Sequence, residues 1–147
     1  MKRFSILSLI LLAILQTGSY AASAPEIIRL RQRPDSVGLY EKFEISLELK
    51  CEFVNPFDPD DIDLQAVFTS PSGKKWEIPG FYYFSMSTLW KVRFSPDETG
   101  EWDYSVTIKD KNGTVTSAPQ SFVAISSKRN GNIQVAANKR YLTYRNG

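Results

Sequence analysis

Residues 42–53, Lys42-Phe43-Glu44-Ile45-Ser46-Leu47-Glu48-Leu49-Lys50-Cys51-Glu52-Phe53, alternate without a break. Phe43, Ile45, Leu47, Leu49, Cys51 and Phe53 hold the odd positions; Lys42, Glu44, Ser46, Glu48, Lys50 and Glu52 hold the even ones. Successive side chains of a strand point to opposite faces, so this period of two yields one oily face and one charged face. A helix would spread the same residues around its axis. The segment therefore reads as an amphipathic strand of an antiparallel sheet with one wet side.

Shorter stretches of the same kind lie on both sides of it. Ile62, Leu64, Ala66 and Phe68 alternate with Asp63, Gln65 and Val67, and Ser70-Pro71-Ser72-Gly73 then supplies a turn. Trp76 and Ile78 form a short strand ended by Pro79-Gly80. Trp90, Val92 and Phe94 mark another, and Trp102, Tyr104, Val106 and Ile108 the next. Lys111-Asn112-Gly113-Thr114 is expected to be a hairpin turn built on Asn112-Gly113, with residues 121–125 as its return strand. Residues 26–31 (EIIRLR) are expected to be the first strand.

About seven strands, frequent turns and no convincing helix imply an all-β, immunoglobulin-like antiparallel β-sandwich, following an N-terminal signal peptide. The spacing Glu98-x-Gly100-x-Trp102-x-Tyr104 is that of the corner preceding strand F of such a fold, where an aromatic residue folds back on the turn. Trp102 and Tyr104 stand where tyrosine and cysteine are usual.

The start of the chain reads as an export signal. Lys2 and Arg3 precede an apolar run over residues 4–15, too short to span a bilayer, and Ser19-Tyr20-Ala21 fits a small-x-small cleavage site. Cleavage after Ala21, with Ala22 as the second choice, implies a secreted or periplasmic protein with no membrane attachment once the signal is removed; the other reading of the run is a retained membrane anchor, which its short length disfavours. The expected divisions are 1–21 as signal peptide, 26–126 as sandwich and 127–147 as linker and the start of a hairpin.

Composition excludes several chemistries. The 147 residues contain no histidine and one cysteine, so Ser-His-Asp catalysis, histidine-ligated metal and an intrachain disulfide are ruled out. The chain has 18 basic and 16 acidic residues. The signal removes two basic ones, leaving the mature chain formally neutral, and no nucleic-acid partner is expected. No cofactor is expected either.

Paired carboxylates are the one catalytic mechanism left open. The acids lie mostly on exposed strand faces (Glu44, Glu48, Glu52, Asp103) or in turns (Asp97, Glu98), so they read as solvated charge and no catalytic residue is assigned. The densest acidic loop, residues 55–63, offers Asp58, Asp60, Asp61 and Asp63 as a weak calcium candidate beside the reading of a stiff, solvated connection. Phe81, Tyr82, Tyr83 and Phe84 are candidates for carbohydrate or domain contact, because four adjacent aromatics on an extended chain cannot all point inward. Cys51 reads as a buried, inert thiol. Asn112-Gly113-Thr114 matches a glycosylation triplet that the turn already explains.

Several stretches together resemble a known family. They are residues 37–44 (VGLYEKFE), 55–59 (NPFDP), 68–74 (FTSPSGK), 79–82 (PGFY), 90–96 (WKVRFSP) and 99–102 (TGEW). Their order resembles the immunoglobulin-like N-terminal domain, of unassigned function, that precedes the TIM-barrel catalytic domain of bacterial secreted glycoside hydrolases. The resemblance covers about residues 26–147. It implies that residues 131–135 and 140–147 form a hairpin leading toward a barrel. A barrel takes about 250 residues, so the chain is expected to stop short of it. The family's catalytic carboxylates have no matching positions here. The implied role is a non-catalytic exported accessory module of a carbohydrate-degrading enzyme, with a C-terminal catalytic barrel domain or a polysaccharide as partner. The alternative is a stand-alone carbohydrate-binding or surface adhesion module. Without a barrel, residues 128–147 are expected to be poorly ordered.

Overall fold

The computed structural model describes residues 23–84 and 90–144. The proposed signal peptide and its cleavage site lie outside the described residues. The strands in chain order are β1 (Glu26–Arg33), β2 (Ser36–Gly38), β3 (Phe43–Lys50), β4 (Ile62–Thr69), β5 (Lys75–Pro79) and β6 (Phe81–Tyr82). They continue with β7 (Trp90–Phe94), β8 (Gly100–Asp110), β9 (Gly113–Thr116), β10 (Gln120–Ile125), β11 (Ile133–Val135) and β12 (Leu142–Tyr144). No helix occurs among the described residues.

Two sheets face each other, with strand orders β1-β3-β7-β6 and β2-β10-β8-β4-β5, and β9 pairs separately with β8. The first order is that of strands A-B-E-D of an immunoglobulin sandwich, and β4-β8-β10 supplies the C-F-G core of the second. The alternation in residues 42–53 drives this closure. Phe43, Ile45 and Leu47 are fully buried, while Glu44, Ser46 and Glu48 turn outward. Two sheets that each carry one apolar face remove both from water by stacking.

An aromatic cluster fills the space between the sheets. Phe43 stacks on Phe122 at 3.9 Å between ring centroids, and Phe68 stacks on Phe94 at 4.2 Å. Trp102 meets Phe94 edge-on at 5.1 Å. The corner implied by residues 98–104 is present in tryptophan form: Trp102 is fully buried and its indole N–H donates to the Glu98 carbonyl at 2.9 Å. The Glu98 carboxylate accepts from the Ser72 hydroxyl at 2.8 Å and the Ser70 hydroxyl at 3.2 Å, joining the corner to the β4–β5 turn. Gly100 between them has φ of 124°, and a side chain there would meet Pro71 at 2.9 Å. Only glycine meets both conditions.

The structure departs from the sequence reading in four places. The strand expected to reach Phe53 ends at Lys50. Beyond it the Glu52 N–H donates to Asp110, and the Val54 and Asn55 N–H groups donate to Asp61. These carboxylates draw the backbone out of the ladder.

The β8–β9 turn sits one residue earlier than Asn112-Gly113, because Asp110 pairs with Gly113 across it. Asp110 Oδ1 accepts the N–H groups of Asn112 at 2.8 Å and Gly113 at 3.1 Å, so a side chain rather than an Asn-Gly backbone preference sets the turn.

The sheets are not wholly antiparallel: β2 runs parallel to β10, with Val37 opposite Ala124. The seven expected strands are all present, but the return strand of the β8 hairpin is β9 and not residues 121–125, whose strand β10 pairs instead with residues 100–104; β2, β6 and β9 are additional, each too short for a period to show. The separate hairpin β11–β12 lies where the resemblance places one, pairing Ile133 with Tyr144 and Val135 with Leu142.

Candidate functional site

The four aromatics at 81–84 part company according to the pleat. Phe81 and Tyr82 form edge strand β6, pairing with Lys91 and Trp90 of β7. Gly80 makes this possible: its N–H donates to the Leu64 carbonyl at 2.6 Å, and a side chain there would run into Leu64. Tyr82 turns inward onto Trp90 at 5.2 Å and Phe53 at 6.1 Å between centroids. Phe81 and Tyr83 turn to the outer face, where Arg93 lies 5.0 Å from the first ring and Lys91 lies 4.3 Å from the second. Phe84 is 84% exposed. The segment thus supplies one lid residue, two rings covered by cations and one bare ring.

Nothing in the residue order points to the partner of Tyr82. Phe57, in the acidic loop, meets it edge-on at 5.8 Å yet remains 76% exposed. Together with Trp90, Pro56, Pro59 and Leu64 these two rings line a pocket of about 200 Å³. The loop that carries Phe57 is held by its own acids. Asp61 accepts the Asn55 N–H at 2.6 Å and also the Val54 N–H, Asp58 accepts the Asp60 N–H at 3.0 Å, and Asn55 accepts the Phe57 N–H at 3.1 Å. The Asp61 carboxyl is held below its ordinary range by the Asn55 amide and then the Val54 amide.

Asp58, Asp60, Asp61 and Asp63 do not converge. Among the described residues no three potential metal-ligating side chains group together. The Asp58 and Asp61 carboxylates accept amides of their own loop, and Asp63 accepts from Gln65 at 3.2 Å.

The outer face beside Phe81 is organised around Glu44. Lys91 Nζ lies 2.6 Å from one carboxylate oxygen; Arg93 Nε lies 2.8 Å and Lys42 Nζ 3.4 Å from the other. Burial opposes ionisation of Glu44, and the hydrogen bonds from Lys91 and Arg93 more than offset it, holding the carboxyl at about 2.

A carboxyl whose pKa is depressed on folding stabilises the fold above its unfolded value, and that contribution is lost as pH falls through the folded value. Glu44, with only 15% of its side chain exposed, is therefore expected to contribute about 1–2 kcal/mol at pH 7 after solvent screening. The contribution should fade between about pH 5 and pH 2. Urea unfolding at pH 7, 4 and 2.5 should show a shallower pH dependence in Glu44→Gln than in the parent. Parallel pH curves for the two proteins would remove Glu44 from this role.

The other shifted carboxyls also move down. Glu52 is lowered by hydrogen bonding first to Lys111, and Glu98 first to Ser72. Burial, then the negative charge of Asp110, pushes the Cys51 thiol up to about 11, which keeps it protonated at neutral pH. At the far end, hairpin β11–β12 presents Ile133, Val135, Leu142 and Tyr144 to solvent. No helix among the described residues is long and apolar enough to cross a membrane.

The chain resembles several solved structures. It is similar to a putative glycoside hydrolase from Bacteroides vulgatus, at 27% identity and a TM-score of 0.55, over 78% of this chain and 21% of that one. The chain thus spans about a fifth of that protein's length. A quinonprotein alcohol dehydrogenase-like protein from Bacteroides thetaiotaomicron matches at 19% identity and a TM-score of 0.40, over 85% of this chain and 27% of that one. The filamin domain of Lin-41 matches at 14% identity and a TM-score of 0.39, over 71% of this chain and all of that one. No curated protein matches. The family model for a domain of unknown function, DUF5060, matches residues 36–109, from β2 through nearly all of β8. That span takes in half of the chain and most of the strands that build its core, and the protein belongs to the DUF5060 family.

Proposed function

We propose that this chain is a non-catalytic, exported accessory module of a carbohydrate-degrading enzyme, one that braces or positions a catalytic barrel domain beside its substrate. The similarity to the Bacteroides vulgatus protein carries this reading, because it covers most of the sandwich and leaves about four-fifths of that protein for other work. The electrostatics support it. A glycosidase needs an acid whose carboxyl is raised so that it holds its proton. The resolved shifts of Glu44, Glu52, Asp61 and Glu98 all go the other way. The apolar face of β11–β12 and the ring of Phe84 supply surface for a neighbouring domain.

Two measurements test the proposal. The purified chain, incubated with a panel of polysaccharides and aryl glycosides, should release no sugar. Deleting the matched domain from the Bacteroides vulgatus protein should lower the melting temperature of the remainder. Turnover by the isolated chain would overturn the non-catalytic assignment; unchanged stability and activity after the deletion would overturn the bracing role.

A further inference from the structure

The net charge of the chain conceals a division between its two outer faces. On the first sheet, β1 pairs with β3 so that Arg33 lies opposite Glu44, Arg31 opposite Ser46 and Arg29 opposite Glu48. On the other side of β3, Glu44 faces Arg93 and Ser46 faces Lys91. Directly opposed residues share a face, so these side chains all project outward together. Glu26 and Lys50 close one end of the face, and Lys42 lies at the other against Glu44. Seven cations thus stand among three carboxylates.

Glu44 is already shared by three cations, and Glu48 is 3.3 Å from Arg29. No ion pair within 4.0 Å engages Arg31 or Arg33 among the described residues, and both are exposed. The outer face of the second sheet is inverted: Asp63, Glu77, Glu101 and Asp103 outnumber Lys75 and Lys109.

We infer that the outer face of sheet β1-β3-β7-β6 binds a carboxylate-bearing polysaccharide, a polyuronate chain, an inference that rests on the carbohydrate-associated reading above. Four of the seven cations are arginines, whose planar forks donate two parallel hydrogen bonds to a carboxylate. Arg29, Arg31 and Arg33 recur along β1 about every 6.7 Å, and the neighbouring strands repeat about 4.8 Å apart, forming a rigid grid suited to an extended chain of regularly spaced charges. Phe81 and Tyr83 border this grid with Arg93 and Lys91 lying over their rings, so the aromatic edges and the cations form one continuous margin that a pyranose chain can run along. The local excess of four positive charges is small beside the six to ten phosphate contacts typical of a duplex-binding protein, which favours a more sparsely charged polymer.

Affinity electrophoresis and calorimetry of the full chain against polygalacturonate, at low salt, test the inference. Binding is expected, weakening as salt rises and disappearing when the same polymer is methyl-esterified. The double variant Arg31→Gln/Arg33→Gln should bind at least ten-fold more weakly with an unchanged melting temperature, since both side chains are exposed and no ion pair within 4.0 Å engages them among the described residues. Tyr83→Ala should weaken binding without altering its salt slope. No binding to polygalacturonate, equal binding to the esterified polymer, or full binding by the double variant would overturn the inference. Tighter binding to single-stranded DNA or to dextran sulfate would reassign the face to those polymers. Assaying sugar release in the same mixtures keeps the two readings apart, because hydrolysis would overturn the accessory role and leave the binding result standing.

Discussion

Trp102→Ala is expected to destabilise the fold by about 3–5 kcal/mol, the cost of truncating a fully buried aromatic. For a sandwich of this size that corresponds to a fall in melting temperature of roughly 12–20 °C. Two losses combine. The ring leaves a cavity among Phe94 and Phe122, against which it packs at 5.1 and 6.2 Å between centroids. The Glu98 carbonyl loses the indole N–H that it accepts at 2.9 Å. Trp102→Phe separates them: it retains most of the ring contact and gives up the hydrogen bond, so it should cost only about 1–2 kcal/mol. Thermal unfolding of the two variants against the parent gives the comparison. Equal melting temperatures for parent and Trp102→Ala would remove the corner from the centre of the fold.

Asp110→Ala should be the next most damaging change, at about 2–4 kcal/mol. Asp110 is buried and accepts three backbone N–H groups, those of Asn112 and Gly113 on one oxygen and that of Glu52, at 3.1 Å, on the other. Alanine leaves all three without that acceptor and unties the β8–β9 turn from the segment leaving β3. Asp110→Asn keeps one acceptor oxygen but turns an NH₂ group toward one set of amides, so it should fall between alanine and the parent. The adjacent ion pair of Lys111 and Glu52 is exposed on both sides and contributes little by comparison. Urea denaturation midpoints should rank parent above Asp110→Asn above Asp110→Ala. An Asp110→Ala midpoint equal to that of the parent would refute the assignment.

These two residues also mark the boundary of what residue order reveals. The Trp102 corner was legible because it is a matter of spacing: Glu98, Gly100, Trp102 and Tyr104 are close in sequence and their contact is local. Asp110 was not legible as a clamp. One of its partners, Glu52, lies 58 residues away, and the neighbouring Asn112-Gly113 offered a plausible turn of its own. The acidic loop shows a related limit. Four aspartates within six residues suggest a cation, yet Asp58 and Asp61 are occupied by amides of their own loop. Short side chains near a bend find the nearest N–H before they find each other.

Residue order alone determined the seven main strands, their buried and exposed faces and the closure into a sandwich, because a period of two is written directly into the chain and burial of the oily face follows from it. Tertiary structure decided which charges share a surface. Arg31 and Lys91 are sixty residues apart in sequence and two strands apart in space, linked only through the pairing of each with Ser46. A whole-chain sum averages over both sheets; the register of β1 on β3 and of β3 on β7 separates the basic face from the acidic one. Long-range pairing also turned Tyr82 inward and left Phe84 bare, because the side of a sheet to which a ring points is fixed by the neighbouring strand rather than by the four aromatics themselves.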